Sequence, residues 1–150
     1  MGGDDNRRMT PTPRFEGATR LHDWGVIRAR GDDAVSFLHG QLTNDVAGLG
    51  PDTARLAGYC SAKGRLLATF VVWRSVDDVL LACSADLLEP TLKRLRMFVL
   101  RARCVLSDAS AEWPLHGLAG PAATSWLGNA APEAAGGKRE HHGRTAIRLP

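Results

Sequence analysis

Hydrophobic and polar positions alternate over several short stretches of this chain and switch to a helical spacing in two places. Trp24 to Arg30 alternates as a strand does, and Gly31-Asp32-Asp33 then punctuates it. Asp32 is the predicted N-cap of a helix whose apolar face is Val35, Leu38 and Leu42, at i, i+3 and i+7. That helix should fade at Thr43-Asn44-Asp45, whose side chains compete for backbone hydrogen bonds. Gly48 to Asp52 reads as a loop. Leu56 to Cys60 and Leu66 to Arg74 read as strands around a polar tip, Ser61-Ala62-Lys63-Gly64-Arg65. Ser75 to Asp78 is a second turn and Val79 to Cys83 a third strand, which completes an antiparallel meander. A second helix is predicted with Asp86 as N-cap, Glu89 at N3 and Pro90 at N4, and with Leu88, Leu92, Leu95 and Val99 as its stripe. Cys104 to Leu106 and Leu115 to Leu118 look like further strands.

The order strand, helix, three-strand meander, helix, strand predicts an α+β fold, a mainly antiparallel sheet with two helices on one face. Three segments follow. Residues 1–20, of mixed charge and rich in Gly and Pro at the start, read as a disordered leader, and residues 21–120 as the folded domain. Residues 121–150 read as a loop and the start of a further element. Within them GPAATSWLG opens a short helix, NAAPEAAGGKREHHG is a loop, and Thr145 to Pro150 begins a strand and stops. The chain is thus expected to be the first part of a longer protein.

Composition narrows the setting more than the chemistry. With 150 residues, 44% hydrophobic and 23% charged, the chain is an ordinary soluble domain. No apolar stretch approaches the ~20 residues of a membrane helix. Cys60, Cys83 and Cys104 are three in number and widely spaced, which suits small buried residues in a reducing cytoplasm better than a disulfide framework or a zinc knuckle. A net charge of +3 and a pI of about 9.1 agree with an anionic partner without demanding one. Lys63-Gly64 lacks the glycines and the Ser/Thr of a nucleotide loop. No nucleophile elbow occurs. His22, His39, His116, His141 and His142 lack metal-ligand spacing. Lys93 to Arg103 carries five cations in eleven residues. It reads as a solvated face or as a phosphate contact through Lys93, Arg94, Arg96 and Arg101. Trp24, Trp73, Trp113 and Trp126 are dispersed and build no stacking platform.

Two blocks go further. Phe37-Leu-His-Gly-Gln-Leu-Thr-Asn-Asp45, followed by Gly58-Tyr-Cys-Ser-Ala-Lys-Gly-Arg-Leu-Leu67, resembles the start of the YgfZ family. These are folate-binding proteins related to the T-protein (aminomethyltransferase) of the glycine cleavage system. The resemblance runs from about Trp24 to Leu118. It implies a tetrahydrofolate-binding scaffold in the cytoplasm that supports iron–sulfur cluster assembly and repair, with iron–sulfur client enzymes that include tRNA-modifying ones. Folate has a flat pterin that wants amide-type partners and a glutamate tail that wants cations. Gln41 and Asn44 suit the first, Lys63 and Arg65 the second. Asn44 equally suits helix capping, and Lys63 an exposed turn tip.

The departures are informative too. The family's Lys-Gly-Cys-Tyr-x-Gly-Gln-Glu signature occurs nowhere in the 150 residues, so Cys60, Cys83 and Cys104 do not inherit its thiol role. T-proteins carry an Asp-Asp pair in the strand after the equivalent turn, one of them catalytic. Aligned on Gly64, those positions hold Ala68 and Thr69, which cannot ionise. Aminomethyl transfer is therefore not expected. It stands as the enzymatic alternative, and a basic RNA-binding module as the other.

Overall fold

The computed structural model describes residues 15–150. In chain order its elements are β1 (Gly17–Arg20), β2 (Trp24–Arg30), α1 (Ala34–Gln41), β3 (Ala54–Cys60), β4 (Leu66–Ser75), β5 (Asp78–Ser84) and α2 (Ala85–Val99). Then follow β6 (Val105–Asp108), β7 (His116–Ala119), α3 (Pro121–Leu127), a 3₁₀ turn (Gly128–Ala130), β8 (Lys138–His141) and β9 (Arg144–Ile147). Among the described residues no helix is long and apolar enough to cross a membrane.

A five-stranded sheet of order β3-β4-β5-β2-β6 organises the fold, and every pairing is antiparallel. Its strands alternate because each has two faces to satisfy. Ile27, Ala29, Ala57, Phe70, Val72, Val79, Leu81 and Leu106 meet Ala34 and Leu38 of α1 and Leu88, Leu92 and Leu95 of α2 in the main core. The α+β fold with two helices on one face is therefore the one observed. The opposite parity, Val26, Ala54, Val71, Trp73, Leu80 and Ala82, packs beneath Trp113, Leu115 and Ile147. Trp113 meets Trp73 edge-on, with ring centroids 6.0 Å apart.

Both helix starts differ from the expectation. The N-cap of α1 is Asp33, not Asp32, and it caps with no side-chain bond. Its carboxylate instead accepts the N–H of Arg103 at 2.8 Å, while its own N–H donates to the Arg103 carbonyl at 3.1 Å. Asp32 is exposed and pairs with the Arg103 guanidinium at 2.9 Å. Gly31 makes this closeness possible. Its φ is +125°, and a Cβ there would sit 2.2 Å from the Arg103 carbonyl oxygen.

The N-cap of α2 is Ser84, so Asp86 lies in the first turn, where a carboxylate favours the helix dipole, and accepts the Ser84 hydroxyl. The capping box with Glu89 is not formed. Pro90 falls at the sixth helical position, where its missing N–H leaves the Asp86 carbonyl without its helical donor.

The ends of the chain hold more structure than expected. Residues 1–14 of the predicted leader lie outside the described residues. Residues 17–20 are not leader but a strand, β1, paired with β7 from Gly17↔Ala119 to Arg20↔His116. Residues 138–141, expected as loop, pair with β9 in a hairpin. The Thr53↔Gly137 bridge and the Lys138 N–H donating to the Asp52 carbonyl tie that hairpin to the edge of the main sheet.

Candidate functional site

The tip between β3 and β4 is a turn built for itself. The Ser61 N–H donates to the Arg65 carbonyl at 2.8 Å, and the Gly64 N–H to the Ser61 carbonyl at 2.9 Å. Gly64 takes φ +77°, which only glycine adopts freely. Lys63 and Arg65 are exposed on this tip, a few residues from the start of β4.

From the tip, β4 leads onto the sheet face opposite the two helices, which is covered only in part. At the end of this face, where the sheet meets the start of α2, a groove of about 310 Å³ is lined by Trp24, Leu66, Leu67, Ala68, Thr69 and Ser84 and by Leu87 of the first turn of α2. The register explains this neighbourhood. Trp24 of β2 pairs with Ser84 of β5, and Thr69 of β4 pairs with Gly58 of β3. Gly58 contributes no side chain to the surface beside Thr69. Trp24 and Leu66 remain 38% and 59% exposed, so a flat indole and an aliphatic side chain face outward at the groove.

Of the two positions aligned with the T-protein carboxylates, Thr69 is exposed. Ala68 is buried, with its side chain in the helix-side core. Only position 69 therefore turns its side chain to this face.

A second groove of about 240 Å³ lies further along the same face, where Leu56 and Val71 form a cross-strand pair. Asn44, Arg55, Ile147 and Arg148 help to line it. Asn44 is held from both ends. Its Nδ2 donates to the Leu56 carbonyl at 2.8 Å, and its Oδ1 accepts the Asp45 N–H at 2.8 Å. Thr43 works beside it: its N–H donates to the Gly58 carbonyl at 2.9 Å, and its hydroxyl accepts the Gly58 N–H at 2.7 Å. The segment after α1 thus closes the outer edge of β3. Asn44 serves neither as a helix cap nor as a free amide, though its carboxamide keeps one donor and one acceptor position.

Asp45 anchors the next turn. Its carboxylate accepts the Gly48 N–H at 2.8 Å and pairs with Arg55 at 3.1 Å and with His39 at 3.2 Å. The Gly48 bond first, then Arg55, hold this carboxyl below its ordinary value.

The four predicted site residues are not brought together. Lys63 and Arg65 share the tip. Asn44 bonds to β3 at Leu56, four residues before Cys60, which at strand rise is about 13 Å along the sheet. Gln41 ends α1 on the helix side and lines neither groove.

The basic helix is also reduced by what its cations do. The Arg96 Nε and Nη2 both donate to the Leu106 carbonyl, at 3.1 and 2.8 Å, and Arg103 is committed to Asp32 and Asp33. Arg96 is therefore corrected from a phosphate contact to a cap on the outer edge of β6. Trp24 was missed as a surface residue because it belongs to a short strand whose neighbours are core. Its place at the end of the strand, before Gly25, was the only hint.

The cysteines divide by depth. Cys83 and Cys104 are buried, and burial pushes the Cys83 thiol up to about 11. Cys60 is partly exposed.

No family model matches the chain. A tRNA-modifying protein YgfZ from Aliivibrio fischeri (strain ATCC 700601 / ES114) is 30% identical over 117 residues, which are 78% of this chain and 36% of that protein. The protein of the same name from Edwardsiella ictaluri (strain 93-146) is 33% identical over 110 residues, 73% of this chain and 33% of that one. The chain spans about a third of the length of the curated relatives it matches. In fold it is similar to the glycine cleavage system aminomethyltransferase T from Bartonella henselae. The TM-score is 0.68 at 23% identity, covering 76% of this chain and 31% of that one. Sequence and fold agree with the two quoted blocks, and over this N-terminal portion the chain belongs to the YgfZ family.

Proposed function

We propose that this chain is the N-terminal part of a folate-binding accessory protein, one that supports iron–sulfur cluster maintenance and the iron–sulfur enzymes that modify tRNA. The observation that carries the reading is the partly covered sheet face. There Trp24, Leu66 and Leu87 present apolar surface beside Thr69, and the Lys63/Arg65 tip lies at one end. Such a face suits a flat heteroaromatic ring, and a cationic tip suits a polyanionic tail. Trp24 is the stacking residue in this reading and Lys63 with Arg65 hold the tail. Asn44, with its remaining donor and acceptor, is an amide partner at the far groove. Gln41, on the helix side, has no part on this surface.

The aminomethyltransferase alternative needs a carboxylate where the T-protein has one. Thr69 offers a hydroxyl that stays neutral across the physiological range, and Ala68 is a buried methyl group. These residues support ligand binding without group transfer. Calorimetry of tetrahydrofolate with the full-length protein tests the reading. Binding is expected to weaken about tenfold or more in Trp24→Ala and in the Lys63→Ala/Arg65→Ala pair. Wild-type protein that takes up no tetrahydrofolate, or variants that bind it as wild type does, would refute the assignment.

A further inference from the structure

The outer side of α2 carries an apolar group that the fold does not use. Met97 and Phe98 are 59% and 45% exposed, and Leu100, just past the helix end, is 86% exposed. Val105, at the start of β6, is exposed as well. These side chains sit among cations. Lys93, Arg94 and Arg101 have no carboxylate partner among the described residues, and the Arg94 guanidinium lies 5.9 Å from the Phe98 ring centroid. Arg94, Met97 and Phe98 fall at i, i+3 and i+4 on α2, the spacing by which one helix face enters a groove, and Arg101 follows in the turn just past the helix end.

Leu100 adds an independent reason. Its backbone is held at φ 45°, ψ −102°, a conformation that L residues with a branched side chain rarely adopt. Nothing in the fold returns that strain as packing, since the side chain points into solvent. The surrounding turn holds it there. The Ala102 N–H donates to the Val99 carbonyl at 2.8 Å, and Arg103 is clamped in both directions by Asp33. Strain kept in place by its surroundings and spent on exposing a leucine is a mark of function rather than of folding.

We propose that the outer face of α2, with the Leu100 hook, docks into an apolar groove rimmed by carboxylates on a partner protein. Apolar side chains supply the anchors, and the three unpaired cations select an acidic rim. A phosphate backbone fits less well. Two of the five cations in this segment are already committed within the fold, and Phe98 is a single ring, already faced by Arg94, among the non-aromatic side chains of Met97, Leu100 and Val105, so successive bases find no run of stacking surfaces.

A photo-crosslinking phenylalanine analogue at Leu100 of the full-length protein, illuminated in the cells that make it, tests the proposal. The expected product joins this position to another protein at an apolar site flanked by Asp or Glu. Arg94→Glu with Arg101→Glu should lower its yield by about tenfold or more, and changing the partner's carboxylates to lysine should restore it. The same analogue at Val76, exposed on the β4–β5 turn, should give no such product. Leu100→Gly, read through a crosslinker at Phe98, separates docking from folding: it relieves the strain, so stability should hold or rise while the crosslink falls. Crosslinks to RNA, to lipid or to another part of the same polypeptide, no crosslink at all, or a yield that charge reversal leaves unchanged would each overturn the proposal.

Discussion

Replacing Gly31 by alanine tests how tightly the turn before α1 and the hook after α2 are locked together. Three effects add. The backbone at φ +125° is one that an L residue occupies only at about 1–3 kcal/mol. The new Cβ would lie 2.2 Å from the Arg103 carbonyl oxygen and 2.9 Å from its carbon, so the backbone rather than a flexible side chain must retreat. Retreat strains the bonds that join Asp33 to Arg103: a charge-assisted one of 2.8 Å worth about 1.5–3 kcal/mol, and a neutral one of 3.1 Å worth about 0.5–1.5 kcal/mol. Partial loss of both, added to the dihedral strain, predicts about 3–5 kcal/mol of destabilisation. With a urea m-value of about 1–3 kcal/mol/M, the midpoint should fall by about 2 M. Gly64→Ala is the control. It too has a positive φ, +77°, but nothing lies within 4 Å of its Cβ, so it should cost only about 1–2 kcal/mol. Urea unfolding followed by circular dichroism compares the two. If Gly31→Ala came within 1 kcal/mol of Gly64→Ala, contact with the Arg103 carbonyl would not be what requires glycine.

Other predictions address single bonds. Arg96→Ala removes both donors from the Leu106 carbonyl and should lower stability by about 1–2 kcal/mol, read as a shift in urea midpoint, with Arg96→Lys recovering part of the loss. Asp45 has a depressed carboxyl, so its contribution is complete above the unfolded value of 3.8 and is lost as pH falls through the lower folded value. Amide exchange at Gly48, measured against acid, should show the turn opening in that range in wild type and already open in Asp45→Ala. Iodoacetamide at neutral pH should modify Cys60 well before Cys83 or Cys104 in the folded protein, with mass spectrometry locating the label, since the two buried thiols are both inaccessible and held protonated.

The sheet and both helices were legible because their periodicities are strong and their apolar residues bulky. The meander needed only Leu56 to Cys83 to be recognised. Two of the shorter strands were not legible, for physical reasons. Gly17–Arg20 is four residues, small or polar, and does not alternate; only its pairing with His116–Ala119, a strand expected at Leu115 to Leu118, makes it one. Lys138–His141 is charged along its length, yet its turn carried a signal. His142-Gly143 has positive φ at both residues, 48° and 72°, as a tight hairpin turn of the primed kind requires. The caps slipped because runs such as Gly31-Asp32-Asp33 and Ser84-Ala85-Asp86 each offer two acceptable residues. Tertiary partners chose between them, Arg103 most clearly in the first. For the candidate site, the tip was legible and the groove was not, since Trp24, Leu66, Thr69 and Leu87 come from four separate elements.

How the sheet's faces and edges are used bears on both proposals. The outer edge of β3 is closed by Thr43 and Asn44, and that of β6 is capped at Leu106 by Arg96, so polar side chains stand where another strand would add. One face is filled by α1 and α2. The other is covered in part by Trp113 and Ile147 and open in two grooves, one lined by Leu56, Val71 and Ile147 and the other by Trp24, Leu66 and Thr69 with Leu87 of α2. The first turn of α2 reaches the ligand groove through Leu87, while the docking face lies at the other end of the helix, around Met97, Phe98 and Leu100. Ligand groove and docking face thus share no residue, and Leu87 and Leu100 are thirteen residues apart, about 20 Å at helical rise. A molecule that used both would hold ligand and partner together, and neither would compete with the other for contact. Saturating tetrahydrofolate should therefore leave the Leu100 crosslink undiminished. A ligand that displaced the partner would require coupling through the shared core of α2 and β5, where Leu88 and Leu92 pack with Leu81 and Cys83.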